Sequence, residues 1–172
     1  MIAKFPADCL TDENISALDL SRSEIEEMCE EMRTSAWNVN GLGIAAPQIE
    51  KNYRIFGVIH PEKKRYIWFL DPEILSMSGE TTYDEGCLSI PGYFWPVTRH
   101  DKLTVSYFDE KKKKHVKTIS GIYSRIFQHE IDHIDGILIP EYLDDAGFSE
   151  FYSHFSSGES ISSYTAPAIN LL

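Results

Sequence analysis

The chain has 172 residues, 42% of them hydrophobic, and a formal net charge of −11, values that suit one domain with a real core and argue against broad nucleic-acid binding. No apolar run follows the single lysine of residues 1–6, so neither a signal peptide nor a membrane span is expected; a cytoplasmic protein that binds neither DNA nor membrane follows. Its cysteines, Cys9, Cys29 and Cys87, are an odd-numbered set, for which reduced thiols are expected.

In chain order, the first recognisable element is a helix. Ser21 followed by Glu24 is a capping-box pattern, and Ile25, Met28, Cys29, Met32 and Ala36 recur at helical spacing as a core stripe, ending near residues 38–41. Residues 53–59, 65–70 and 103–109 are rich in β-branched and aromatic side chains and read as strands, broken by Pro61, by Asp71-Pro72 and by Pro96. A further strand at 113–119 completes a hairpin, whose turn carries the basic run Lys111 to Lys114 as a solvated surface. Residues 121–135 turn helical again, with Gly136 placed to stop the helix. The Ser-rich stretch beyond residue 155 reads as a linker, which divides the chain into a body, 1–155, and a tail, 156–172.

That second helix carries His129-Glu130-Ile131-Asp132-His133. Imidazoles at i and i+4 lie one turn apart on one face and can share a divalent ion, while Glu130, rotated off that face, can take a proton from water activated there. Two solvated surface histidines are the plain alternative. Metzincin proteases extend such a motif to a third histidine, but here Gly136 fits while Ile139 stands at the ligand position. Glu141, Glu150 and His154 are downstream ligand candidates, the last two in a polar segment that reads as surface. Cys87, in Glu85-Gly86-Cys87-Leu88-Ser89, is the better one, because small neighbours leave its thiol accessible; by itself a lone cysteine is more often a small buried apolar residue.

A third segment, Gly41-Leu42-Gly43-Ile44-Ala45-Ala46-Pro47-Gln48, joins these two. Together the three resemble, residue for residue and in order, the signature motifs of peptide deformylases, and the resemblance runs from about Met28 to about Leu143. It implies an α+β fold in which short antiparallel β-sheets surround a central metal-binding helix. Cys87, His129 and His133 would then be the metal ligands and Glu130 the base. Gln48 and the backbone N–H of Leu88 would stabilise the developing oxyanion.

The implied activity is removal of the formyl group from an N-formylmethionyl peptide, releasing formate. The implied metal is Fe(II), though the donor set also suits zinc, nickel or cobalt. Family members bind the peptide as an added strand, here along Gly43, Ile44 and Ala45 and along Glu85 and Gly86. Ile44, Tyr83, Ile122 and Ile126 match the family's apolar pocket, and Arg99 and Arg125 match positions near its cleft. Some relatives approach the ribosome through a basic C-terminal helix; this chain has no Lys or Arg after Arg125, which leaves a transient ribosome contact open. His100-Asp101 and Asp71-Pro72 depart locally from the family pattern. Two other readings compete: a zincin-like endopeptidase, disfavoured by Ile139, and an inactive metal-binding domain, disfavoured because Glu130 and Gln48 are both intact.

Overall fold

The computed structural model describes residues 1–60 and 62–156. Its elements are α1 (Arg22–Trp37), β1 (Gly43–Ala45), β2 (Ile55–His60), β3 (Arg65–Ser78), β4 (Thr81–Cys87), β5 (Ile90–Arg99), β6 (Lys102–Phe108), β7 (Lys114–Ser120), α2 (Ile122–Ile134) and α3 (Asp145–Ser156). The strands form a five-stranded sheet in the order β1-β2-β3-β6-β7 and a two-stranded sheet of β4 and β5, and every pairing is antiparallel. This is the α+β arrangement that the sequence implied.

Side chains on a strand alternate between faces, and β2 and β3 use both. Ile55, Tyr66, Trp68 and Leu70 pack towards the apolar stripe of α1, whereas Phe56, Val58 and Phe69 pack towards Phe127 and Ile134 of α2. The large sheet is thus covered by α1 on one face and by the motif-bearing helix on the other. Ser21 caps α1 through the expected reciprocal bonds with Glu24. Gly136, at φ 75°, ends the segment after α2 in a conformation that a β-carbon disfavours. A third core cluster lies behind the β4–β5 hairpin, where Tyr93 and Val97 meet Leu10, Ile139 and Phe151.

Three expectations need correction. Asp71-Pro72 does not end a strand: β3 continues through it, with a register shift between Leu70 and Glu73. Asp71 takes a left-handed φ of 43°, a region that Asp tolerates better than most residues, and its carboxylate accepts from Ser16 Oγ and from the Ala17 backbone. Pro96 likewise lies inside β5, opposite Asp84 in a two-stranded sheet, where little ladder bonding is lost. The segment holding Glu150 is surface at Glu150 itself, as expected, but it is not polar throughout: it forms part of α3, whose Phe151 is fully buried against Phe5 and Tyr93. Of the expected tail, Ser156 closes α3 and the remainder lies outside the described residues.

Candidate metal centre

α2 lies under the large sheet, and the β4–β5 hairpin turns back onto it at Cys87. This brings the Cys87 thiol and one nitrogen each of His129 and His133 within 4.8 Å of one another. Cys87 Sγ stands 3.2 Å from His133 Nε2. Ile139, by contrast, is core beside Leu138 and Cys87, as its aliphatic side chain requires. Glu141 points elsewhere, accepting from the Leu138 backbone.

Burial would push the Cys87 thiol up, but His133 and His129 outweigh it by charge and hydrogen bonding, and its pKa falls well below the ordinary value. Burial opposes protonation of His129, yet Cys87 and Glu85 together hold it well above the ordinary imidazole value. The lowered pKa favours the thiolate, which is the form a metal needs.

Glu85 fixes the ring of His129, with Oε2 3.2 Å from Nδ1, which leaves the other nitrogen for a ligand. The same carboxylate is gripped by Arg99 at 3.0 and 3.1 Å and by Arg125. Burial alone would raise its pKa, but His129 and Arg99 bring it down to about 2. Arg99 continues to Asp132 at 2.6 Å and to Tyr142 at 3.0 Å, and Tyr142 donates to Asp132 at 2.8 Å.

Glu130 is buried, and its Oε2 has no hydrogen-bond partner; neither has His133 Nδ1. Burial pushes the Glu130 carboxyl up to about 7, against the pull of His129 and His133. A buried carboxylate oxygen without a partner is costly in a structural group. It is suited to exchanging a proton near neutral pH. Gln48, also buried, reaches the same region: its Oε1 accepts from Ala45 N at 2.9 Å, and its Nε2 lies 3.1 Å from Ser89 Oγ and 3.9 Å from Cys87 Sγ. Leu88 is half-buried between Cys87 and Ser89.

The remaining expected residues separate. Gly43, Ile44 and Ala45 form β1, and Glu85 and Gly86 lie in β4; each strand has one paired neighbour among the described residues, so each has one edge without a strand partner. The four pocket positions are not gathered into one buried group. Ile44 of β1 is fully buried in the α1 core and Ile126 of α2 belongs to the core on the other face of the sheet, while Tyr83 and Ile122 are exposed. Arg99 and Arg125 are not cleft cations available to a ligand. Both are buried, and Arg125 also donates to Val97 O and Thr81 O and lies over the Tyr83 ring.

Asp132 and Tyr142 were missed by sequence reasoning. Asp132 sits inside the helical motif, but its role depends on Arg99, thirty-three residues away, and no local pattern joins them.

A triad of one thiol from β4 and two imidazoles from α2, with a buried carboxylate at its side in an α+β body, defines a candidate metal-dependent hydrolase. The chain belongs to the peptide deformylase family. A family model described as Polypeptide deformylase matches residues 1–148. The Peptide deformylase of Chlorobaculum parvum is 36% identical over 127 residues, covering 71% of this chain and 68% of that protein. Among solved structures, a peptide deformylase from Legionella pneumophila superposes with a TM-score of 0.85 at 29% identity, covering 92% of this chain and 94% of that one. Peptide deformylase from Thermus thermophilus gives 0.82 at 31% identity, covering 91% and 92%. The family is metal-dependent, and the Cys87, His129, His133 group has the donor chemistry for a divalent ion.

Proposed function

We propose that this protein hydrolyses the formyl amide at the N-formylmethionyl end of newly made peptides, releasing formate, and does so in the cytoplasm. The observation that carries this reading is the buried Glu130 carboxylate, with Oε2 left without a hydrogen-bond partner, beside the Cys87, His129, His133 group in a member of the deformylase family. A mere ion-storage site would have no use for such a group.

A divalent ion held by Cys87, His129 and His133 supplies Lewis acidity, lowering the pKa of water and polarising a carbonyl. Glu130 takes the proton from the attacking water and later delivers it to the leaving amine. Gln48 Nε2 and the Leu88 N–H donate to the carbonyl oxygen as negative charge gathers there, each such donor being worth about 3 kcal/mol of barrier. The peptide lies as an extended strand between the edges of β1 and β4 that have no strand partner, read through main-chain groups of Gly43 to Ala45 and of Glu85 and Gly86. Main-chain reading favours broad tolerance beyond the first residue. Tyr83 and Ile122, exposed rather than core, supply apolar surface for the methionine side chain.

Fe(II) is the metal we assign, with zinc, nickel and cobalt admitted by the same donors. A thiolate beside a redox-active ion makes activity fall in air and hold better with nickel or cobalt. Anaerobically purified protein should release formate from formyl-Met-Ala-Ser and leave an internally cleavable peptide intact. Cleavage of the internal bond, or no formate from protein carrying a full equivalent of metal, would overturn the reading. An air-stable enzyme most active with zinc would overturn the iron assignment alone.

A further inference from the structure

The N-terminal segment crosses the two loops that carry the proposed oxyanion donors. Ala3 N–H donates to Gln48 O at 2.8 Å, and Phe5 N–H donates to Ser89 O at 2.9 Å. Lys4, held between these two bonds, turns its side chain so that Nζ donates to Leu88 O. That carbonyl and the Ser89 N–H are opposite ends of one conjugated peptide unit. The Ser89 N–H in turn donates to Cys87 Sγ at 3.4 Å.

The chain of contacts therefore runs from a cation, through one peptide group, to the sulfur. A charged donor at the carbonyl end draws electron density towards oxygen and makes the N–H at the other end a stronger donor. Hydrogen bonds to a ligating thiolate lower its electron donation to the ion. Lys4 and Cys87 also feel each other directly: burial lowers the pKa of the ammonium, and the charge on Cys87 works against that lowering.

We infer that Lys4 is a positioning residue that, through the Leu88–Ser89 peptide, polarises the Ser89 N–H against Cys87 and so weakens electron donation from this thiolate to the bound metal. The inference rests on Cys87 being a metal ligand, as proposed above. It goes beyond that reading by adding a residue of the N-terminal segment, outside all three motifs in sequence, to the tuning of the ion.

Cobalt(II)-loaded protein tests it, because a thiolate bound to cobalt gives a near-ultraviolet charge-transfer band whose energy follows the electron donation of the sulfur. In Lys4→Met that band should move to longer wavelength, with cobalt still bound at one equivalent, and Lys4→Arg should bring it back towards the wild-type position. A Lys4→Met spectrum that superimposes on wild type would overturn the inference and leave the Cys87 assignment intact. Equal displacement in Lys4→Met and Lys4→Arg would overturn it as well, since charge would then not be the agent. If wild-type protein takes up cobalt and gives no thiolate band, Cys87 is not a ligand, and the inference falls with that assignment.

Discussion

A β-carbon on residue 43 would lie 2.2 Å from Oε1 of Glu130 and 2.7 Å from its Cδ, so the backbone of β1 and the carboxylate of α2 meet across a gap that only glycine leaves open. The obstructed atoms are the far end of a flexible side chain, not backbone. Gly43→Ala should therefore fold nearly as well as wild type while its Glu130 carboxylate is displaced. Misplacement of a reacting group by about 1 Å can cost on the order of 10²-fold in rate. Turnover of a short formyl peptide should fall by that order with metal content unchanged. Loss of metal or a large drop in melting temperature would place the damage elsewhere.

Cys87 and Glu130 should separate binding from proton transfer. Cys87→Ala should lose stoichiometric metal and turnover together. Glu130→Gln should keep the metal and lose roughly 10²–10⁴-fold in turnover, the usual contribution of a positioned acid–base group. Metal analysis beside formate release decides both, and a Glu130→Gln enzyme near wild-type rate would mean that another group moves the proton.

Cys29 offers a test away from the site. Burial pushes its thiol up to about 12, and Glu110 and Glu26 add to the effect. At pH 8 in native protein it should resist alkylation, and it should react once the chain is unfolded, as mass spectrometry of its peptide would register. The sign for stability follows from linkage. The folded state favours the protonated thiol, so this contribution is fully present below the ordinary thiol pKa of 9.0 and is lost as pH rises from there towards 12. Any advantage of wild type over Cys29→Ala in denaturant midpoint should therefore shrink as pH rises above 9.0.

Phe151 ties α3 to the body through edge contacts with Phe5 and Tyr93, at centroid distances of 5.1 and 4.9 Å. Phe151→Ala should destabilise the fold by about 3–5 kcal/mol, the range for emptying a buried phenylalanine site. Urea unfolding measures this directly. A cost under about 1 kcal/mol, typical of a surface change, would mean that α3 is an appendage.

Local signals were enough for α1, α2 and four strands of the large sheet, β2, β3, β6 and β7, though not for the second half of β3. The three residues of β1, inside a glycine-bearing motif, are too few to show alternation. Ser21 and Glu24 announce a cap three residues apart, and β2 and β3 are apolar enough on both faces to be recognised at sight. β4 and β5 were hidden because Asp84, Pro91 and Pro96 interrupt the alternation that betrays a strand. α3 was hidden because its short, Ser-bearing sequence gains its order from partners such as Phe5, about 150 residues earlier in the chain. The metal-site motifs were legible as motifs. The grip of Arg99 and Arg125 on Glu85 was not, since pairing across 14 and 40 residues leaves no periodic trace.

Glu85 is shared by Arg99 from β5 and by Arg125 and His129 from α2, so the hairpin bearing Cys87 cannot drift from the helix without stripping partners from a buried charge. The donor atoms are consequently held in register by protein alone, independently of whatever they bind. Such a site should behave as a socket: on the proposed ligand assignment, a chelator should withdraw one divalent ion and another should seat in its place on the folded protein, with no passage through the unfolded chain.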